Sequence, residues 1–454
     1  MLSIFYTIIS FLIAIGILVA IHEFGHFWVA RKLGVKVLRF SIGMGKPLWK
    51  KKFGKDDTEF VLAVFPIGGY VSMLNEQEGE VDESDLHRAF NRQAIWKRSL
   101  IVLAGPAFNF LFAFVAYWFI AVWGVTGPKA IISQLEPGSL AAQAGLERNM
   151  EIVSVEEWDT PTWSAVFQEI LPGVVGSSRV NMKAKDSSGI TRDYVLDLRE
   201  LNVDRVMRHP RPFDALGIYL TDLPAVVGKV VEASPAEKAG MQQGDRLVSL
   251  GEKNINHWSQ IGRYLEDKAN KKINLVVKRN GKLVDLTITP REVNYEGRTF
   301  GQIGIAPDPE LITSKSEYVN NQYGPIDAIG YSLHRTWVVS YVTLRAVGLI
   351  VTGEMSLTNI SGPVTIAVVA GKSASIGLVQ FILFLALVSI SLGILNLLPI
   401  PILDGGHLFY YIVEAIKGSP VSETVEAIGQ RIGILLLVML MMLAFYNDIV
   451  RLAS

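Results

Sequence analysis

The 454-residue chain contains no cysteine. That excludes disulfides, cysteine-ligated zinc and thiol nucleophiles together, and leaves the redox compartment open. Net charge is missing too. Its 43 Lys and Arg balance 43 Asp and Glu, so no bulk field draws the chain toward nucleic acid. Histidine is scarce, at seven residues, so any bound metal must rest on a few imidazoles and on carboxylates. No Lys or Arg precedes the first apolar run, residues 4–30, and no small-residue cleavage site follows it, which speaks against a signal peptide.

What the chain has in quantity is apolar sequence, unevenly spread, with a mean hydropathy of +0.32. It is too long for one domain. Residues 4–30 are long enough to span a bilayer, and the charges that follow, Arg31, Lys32, Lys36 and Arg39, place the N-terminus outside and residue 31 onward in the cytoplasm. A second span is expected from about Ser99 to Trp123, behind Lys97 and Arg98. A third covers about 376–398 and a fourth about 430–446, which returns the C-terminus outside. Residues 325–352 are helical by pattern but carry His334, Arg335 and Arg345, which favours a surface-lying helix over a fifth span.

Near the end of the first span stands His22-Glu23-Phe24-Gly25-His26. Helical residues four apart share a face, so both imidazoles can reach one ion. The carboxylate beside the first His is the usual general base of a zinc hydrolase. In a soluble helix this spacing is often incidental. Inside a hydrocarbon-length segment three ionisable groups are costly, which points to chemistry. His22 lies ~27 Å along the helix from Ile4, toward the cytoplasmic side.

Two other stretches bear on this motif. The second span begins Ala104-Gly105-Pro106-Ala107-Phe108-Asn109, where small residues permit close helix packing. Asn109 reads either as an interhelical hydrogen bond or as part of a site. The third span ends in Asn396-Leu397-Leu398-Pro399-Ile400-Pro401-Ile402-Leu403-Asp404-Gly405-Gly406-His407. Two prolines break the helix, and broken backbone at membrane depth survives only under protein cover. Asp404 is then the carboxylate that a two-histidine zinc site still lacks, against the alternative of a solvated turn residue. His407 reads as a supporting or structural residue.

Between spans one and two, Lys50-Lys51-Lys52 reads as an interfacial anchor or a solvated basic loop. Phe60–Phe65 and Tyr70–Leu74 flank Pro66-Ile67-Gly68-Gly69 and read as a β-hairpin, about 58–74, apolar on both faces. It packs in a core or dips into the bilayer. Beside a zinc site its edge could pair with an extended substrate, or it is plainly structural.

Residues 128–308 are polar and repeat internally. Ala144-Gly145 recurs as Ala239-Gly240, Ile152-Val153-Ser154 as Leu247-Val248-Ser249, and Trp163 as Trp258, each at an offset of 95 residues. The second copy, Ala233 through Asp245, resembles a PDZ domain. In the first copy Asn149-Met150 replaces Gly244-Asp245, and Asn also tolerates positive φ. The boundaries are 128–221 and 222–308. His209 and His257 read as ordinary histidines.

Taken together, the chain resembles the site-2 protease family of intramembrane zinc metalloproteases, in its bacterial form with two PDZ domains. The matching elements are His22 through His26, Gly105 through Asn109, the PDZ pair, Ser361-Gly362-Pro363, and Asn396 through Gly405. The implied architecture is a multi-span α-helical membrane protein. About four transmembrane helices lie in residues 1–127 and 376–454. A membrane-associated β-hairpin, two extracytoplasmic α+β PDZ domains and a connecting region, 309–375, complete it. The resemblance implies one zinc ion on His22, His26 and Asp404, with Glu23 as base. It implies that the hairpin, through Gly68, Gly69 and Tyr70, and Asn396 hold the substrate strand, while Gly105, Pro106, Asn109, Pro399 and Pro401 shape the site. It implies single-pass membrane substrates, already trimmed outside: anti-sigma factors of the envelope stress response and remnant signal peptides. The setting is a bacterial inner membrane, among lipid, with both termini and the PDZ domains periplasmic.

Two other readings compete. A membrane-anchored PDZ scaffold would need neither Glu23 nor Asp404. A metal transporter would spread its His and acidic residues along several spans, whereas here they converge.

Overall fold

The computed structural model describes residues 2–453 except 78, 80, 202, 204, 205, 207–211, 221, 222, 296, 297, 309 and 312–316. His209 lies outside the described residues. Contacts divide the chain into two units. One comprises residues 1–125, 322–348 and 360–448, the other residues 126–321, 349–359 and 449–454.

The chain opens with helix α1 (Leu2–Lys32), then strands β1 (Val37–Phe53) and β2 (Thr58–Met73), then α2 (Ile95–Trp123). The β region departs from a hairpin at 58–74. Arg39–Ile42 pairs with Gly69–Ser72 on one side and Glu59–Leu62 on the other, and Trp49–Phe53 pairs with Thr58–Leu62. Segment 37–42 therefore lies between the two halves of β2, which do not pair with each other. The expected turn at Pro66–Gly69 joins strands that are not neighbours. Lys50, Lys51 and Lys52 belong to a strand, paired with Val61, Phe60 and Glu59, rather than to a loop. Gly43, Gly45 and Gly68 adopt φ values of 91°, 92° and 86°, conformations that let these long strands bend.

In the other unit, β3 (Glu151–Val155), β4 (Trp158–Asp159), α3 (Trp163–Gly176), β5 (Arg179–Lys185) and β6 (Thr191–Asp197) form a sheet ordered β4-β3-β5-β6. Then β7 (Arg246–Leu250), β8 (Lys253–Asn254), α4 (Trp258–Leu265), β9 (Ile273–Arg279) and β10 (Lys282–Ile288) repeat the same order, β8-β7-β9-β10. Each sheet closes over its own core, around Ile152, Ile170 and Leu196 in the first and Leu247, Leu275 and Ile288 in the second. The turn before each leading strand needs a left-handed residue, and Asn149 at φ 64° stands where the second copy has Gly244 at φ 88°. His257 is the N-cap residue of α4.

The rest of the chain is helical: α5 (Asp327–Thr352), α6 (Pro363–Ile376), α7 (Leu378–Leu397), α8 (Asp404–Lys417) and α9 (Glu423–Ala453). Among the described residues four helices, α1, α2, α7 and α9, are long and apolar enough to cross a membrane, and α5 is not among them. Nor does α5 lie free, since its Val339 is buried with Ala113, Ala116 and Tyr117 of α2 and Ala386, Ile390 and Ile394 of α7. Its outer face carries exposed Ile329, Leu333, Trp337 and Leu344. On α1 and α9, large apolar side chains such as Phe5, Ile13, Leu435 and Met442 face outward, the pattern of a surface solvated by lipid.

Small residues bring these helices together. A side-chain carbon on Gly25 would fall 2.8 Å from the Ala104 carbonyl carbon, and one on Gly371 of α6 would fall 2.9 Å from Thr7 Cα. The last helix is tied in at two points. Asp448, 1 % exposed, accepts hydrogen bonds from the amides of Gly362 (3.0 Å), Val364 (2.8 Å) and Thr365 (3.2 Å), and from Thr365 Oγ1 (2.5 Å), so it caps α6. Lower on α9, Gly429 and Gly433 have no room for side chains against Tyr410 and Pro401.

The second repeat rests on one buried ion pair. Asp245, 0 % exposed, receives Arg279 Nε and Nη2 at 2.7 Å each and the Gln242 amide at 2.8 Å. Burial pushes this carboxyl up, but the guanidinium and the amide outweigh it and hold it below its usual range. A depressed carboxyl stabilises the fold fully above the unfolded pKa of about 4, and the contribution is lost as pH falls through the folded value. Asp245→Ala should therefore destabilise the fold at pH 7, because it removes the carboxylate that Arg279 and the Gln242 amide share. Urea unfolding of a 126–321 fragment should show the difference between wild type and variant shrinking below about pH 4.

Candidate metal centre

Three elements converge on one point. α1 supplies His22 and His26 on one face, α2 crosses them at Gly105, and α8 begins at Asp404, just past the broken end of α7. Their closeness has a local cause. A side-chain carbon on Gly105 would lie 2.6 Å from His26 Cε1 and 2.7 Å from His22 Cε1, so only glycine leaves space for both rings. Side-chain carbons on Gly405 and Gly406 would collide with the carbonyls of Leu397, Leu398 and Ile400. Their absence lets α8 start directly against the Pro399–Leu403 segment. Within it Ile402 has φ 141°, a conformation that a β-branched residue adopts only when its surroundings force it.

His22 Nε2 lies 3.2 Å from His26 Nε2, Asp404 Oδ2 lies 3.2 Å from the first, and 3.5 Å separates it from the second. A tetrahedral ion with ligands at 2.0–2.1 Å would space them about 3.3 Å apart. His26 Nδ1 donates to Ile101 O at 2.8 Å, which turns the Nε2 lone pair of the neutral ring toward His22 and Asp404. Asp404 Oδ2 is buried without a hydrogen-bond partner. Two imidazole nitrogens and a buried carboxylate oxygen converging in this way suit a cation. Among the described residues this is the group of His, Asp and Glu side chains close enough to hold a metal ion. The set has nitrogen and oxygen donors and no sulfur, which zinc accepts in hydrolytic sites.

Glu23 lies between the two histidines on α1. The strand Gly69–Met73 passes beside it, with the position of a side-chain carbon on Gly69 only 2.9 Å from Glu23 Cγ and 2.7 Å from Val19 Cγ1. Gly69–Met73 pairs with 37–42 on one side alone, so its other edge is an unfilled strand edge among the described residues. Tyr70 is turned to Arg39, whose Nη1 donates to its hydroxyl at 3.1 Å. Gly68, by its φ of 86°, is the bend ahead of this strand.

Asn396 Nδ2 reaches His22, 3.4 Å from Nε2 and 3.5 Å from Nδ1. Asn109, 0 % exposed, places Nδ2 3.1 Å from His22 Nδ1. Both asparagines therefore touch a candidate ligand. Pro106 lies inside α2, and its carbonyl faces Gly393 of α7. Pro401 abuts α9, whereas His407 stands beside Tyr410, with ring centroids 6.5 Å apart, and is not one of the converging groups. Two contributors have no sequence signature at all: the Ile101 carbonyl, a main-chain group, and Ser389, whose Oγ donates to Asn109 O at 2.9 Å. Gly105→Ala should displace both rings and lower zinc affinity by roughly 10–100-fold, the scale on which zinc sites respond to misoriented ligands. Chelator competition on purified protein would measure it.

Comparison with known proteins gives a consistent result. The sequence model of peptidase family M50 matches residues 10–440. The chain is 40 % identical over 455 residues to the regulator of sigma-E protease RseP of Escherichia coli, covering 100 % of both chains. It is 39 % identical over 466 residues to a putative zinc metalloprotease of Vibrio cholerae, again over 100 % of both. A regulator of sigma E protease from Haemophilus influenzae is 39 % identical over 457 residues, across 99 % of this chain and 100 % of that one.

Proposed function

The chain belongs to peptidase family M50, and from that premise we propose that His22, His26 and Asp404 hold its zinc while Glu23 is the general base of peptide hydrolysis. The enzyme is an intramembrane metalloprotease of the site-2 type with a zinc cofactor. The observation that carries the residue assignment is the triangle of donor atoms, 3.2, 3.2 and 3.5 Å on its edges.

Zinc in that triangle would supply Lewis acidity and a water acidified to near neutrality. The protein's own groups do the rest. Glu23 takes the proton of the attacking water and returns it to the departing amine. Asn109 holds His22 in its working tautomer. Its Oδ1 is buried without a partner while Nδ2 faces a ring nitrogen. With the amide turned over, Oδ1 accepts from Nδ1–H, and His22 presents Nε2 to the metal as His26 does. A membrane helix hides its carbonyls in i→i−4 hydrogen bonds, so a substrate must unwind to be cut. The unfilled edge of Gly69–Met73, beside Glu23, offers the freed backbone new partners. We assign Asn396, which stands beside His22, to hold the same strand.

Substrates are membrane proteins. From the family resemblance, we assign anti-sigma factors and similar single-pass chains as the class, with residue 31 onward cytoplasmic and the repeat unit periplasmic. The two repeats, read as PDZ domains, gate access by excluding bulky ectodomains.

Two measurements test this reading. Glu23→Gln should keep about one zinc per chain and lose cleavage of a co-expressed single-pass substrate by at least about 100-fold, whereas Asp404→Asn should lose metal as well. A variant that cuts normally without Glu23 would overturn the assignment. Deleting residues 128–308 should let untrimmed substrates be cut, and cleavage confined to trimmed ones would refute the gate.

A further inference from the structure

A cavity of about 980 Å³ opens beside the strand Gly69–Met73. Tyr70, Val71, Ser72 and Met73 form one wall. The opposite wall is α8, the helix that starts at Asp404, and the first turns of α9 close the third side. The cavity thus continues the unfilled strand edge away from the metal centre. Gly69 marks the end at Glu23, and Met73 lies opposite Val37, beyond the basic end of α1.

Its charge is one-sided. Arg98 in the wall is already neutralised, because its Nη2 lies 2.6 Å from Glu414 Oε1 and its guanidinium sits over the Tyr411 ring at 4.8 Å. Glu423 and Glu426 line the same space and are in no ion pair among the described residues. Their place in the first turn of α9 suits the helix dipole, which accounts for negative charge there but not for an open volume in front of it.

We propose that this cavity receives the basic segment flanking the cytoplasmic end of the substrate's membrane span, with Glu423 and Glu426 as the residues that select for positive charge. The proposal rests on the proteolytic reading above and on its membrane orientation. A strand laid along Gly69–Met73 past Glu23 enters the cavity on leaving the site. The part of a single-pass protein just inside the membrane is rich in Lys and Arg, the same bias that orients it during insertion. A volume of this size holds several extended residues with long side chains, and two unpaired carboxylates suit them. The strand edge recognises any backbone, and the acidic wall then favours a chain whose basic flank lies on the correct side. That flank also fixes which way the strand is threaded.

The test uses full-length enzyme in lipid and two single-pass substrates that differ only in four flanking residues, all Lys or all Gln. Wild type should cut the Lys substrate with a kcat/KM about threefold to tenfold higher, given two partly exposed charge pairs. In Glu423→Gln/Glu426→Gln that ratio should fall toward one, and Glu423→Lys/Glu426→Lys should invert it for a substrate with a Glu flank. Zinc content and thermal unfolding of the same samples report folding. A wild type blind to the flank, or a Gln variant that keeps the preference, overturns the proposal. If wild type cuts neither substrate, the proteolytic reading fails. Binding of labelled Lys- and Gln-flanked peptides to the Glu23→Gln protein then decides the cavity alone, and equal affinities overturn it.

Discussion

Main-chain atoms of neighbouring helices must come within side-chain distance of one another for the candidate metal centre to form. The imidazoles of α1 occupy the volume that any residue but glycine at 105 would fill, and Gly25 lets α1 sit against Ala104. Gly405 and Gly406 do the same for the helix that presents Asp404. In an apolar solvent no hydrophobic force presses helices together, so close packing through small residues is what assembles the ligands. Once assembled they are hard to disperse, because each separated ligand would be an ionisable or polar group facing hydrocarbon.

Much of this was legible in the sequence, and the limits have physical causes. His22, Glu23 and His26 are announced by helical period, and Asp404 by a broken helix in the wrong place for a turn. The repeats are announced by a constant offset, and the structure gives both sheets the same strand order. The β region was misread because strand pairing is non-local. Val37 through Ile42 carries a fair strand pattern, but nothing in it says that it will separate the halves of β2. Pro66-Ile67-Gly68-Gly69 is a strong turn signal, and a turn signal speaks only for chain direction, not for which strands become neighbours. Helix α5 was legible in part. Its charges argue for the surface, and they do not exclude the buried stripe through Val339.

The partners of the histidines divide along the same line. Asn109 could be singled out as a polar residue in an apolar span. Ile101 could not, since a carbonyl belongs to every residue and only the crossing of α1 and α2 selects that one. The unit without membrane helices shows the complementary case. There Asp245 and Arg279 pair across 34 positions to brace a turn that in the first repeat is braced without either charge.

The contact of Gly429 and Gly433 with Tyr410 and Pro401 has a mechanical consequence. The final helix runs 31 residues, about 46 Å, against a hydrocarbon layer of about 30 Å, so its first turns, with Glu423 and Glu426, extend past the apolar layer. Its foot packs on the segment around Ile402 that leads into Asp404, so a shift of that helix would be passed through Pro401 to the carboxylate.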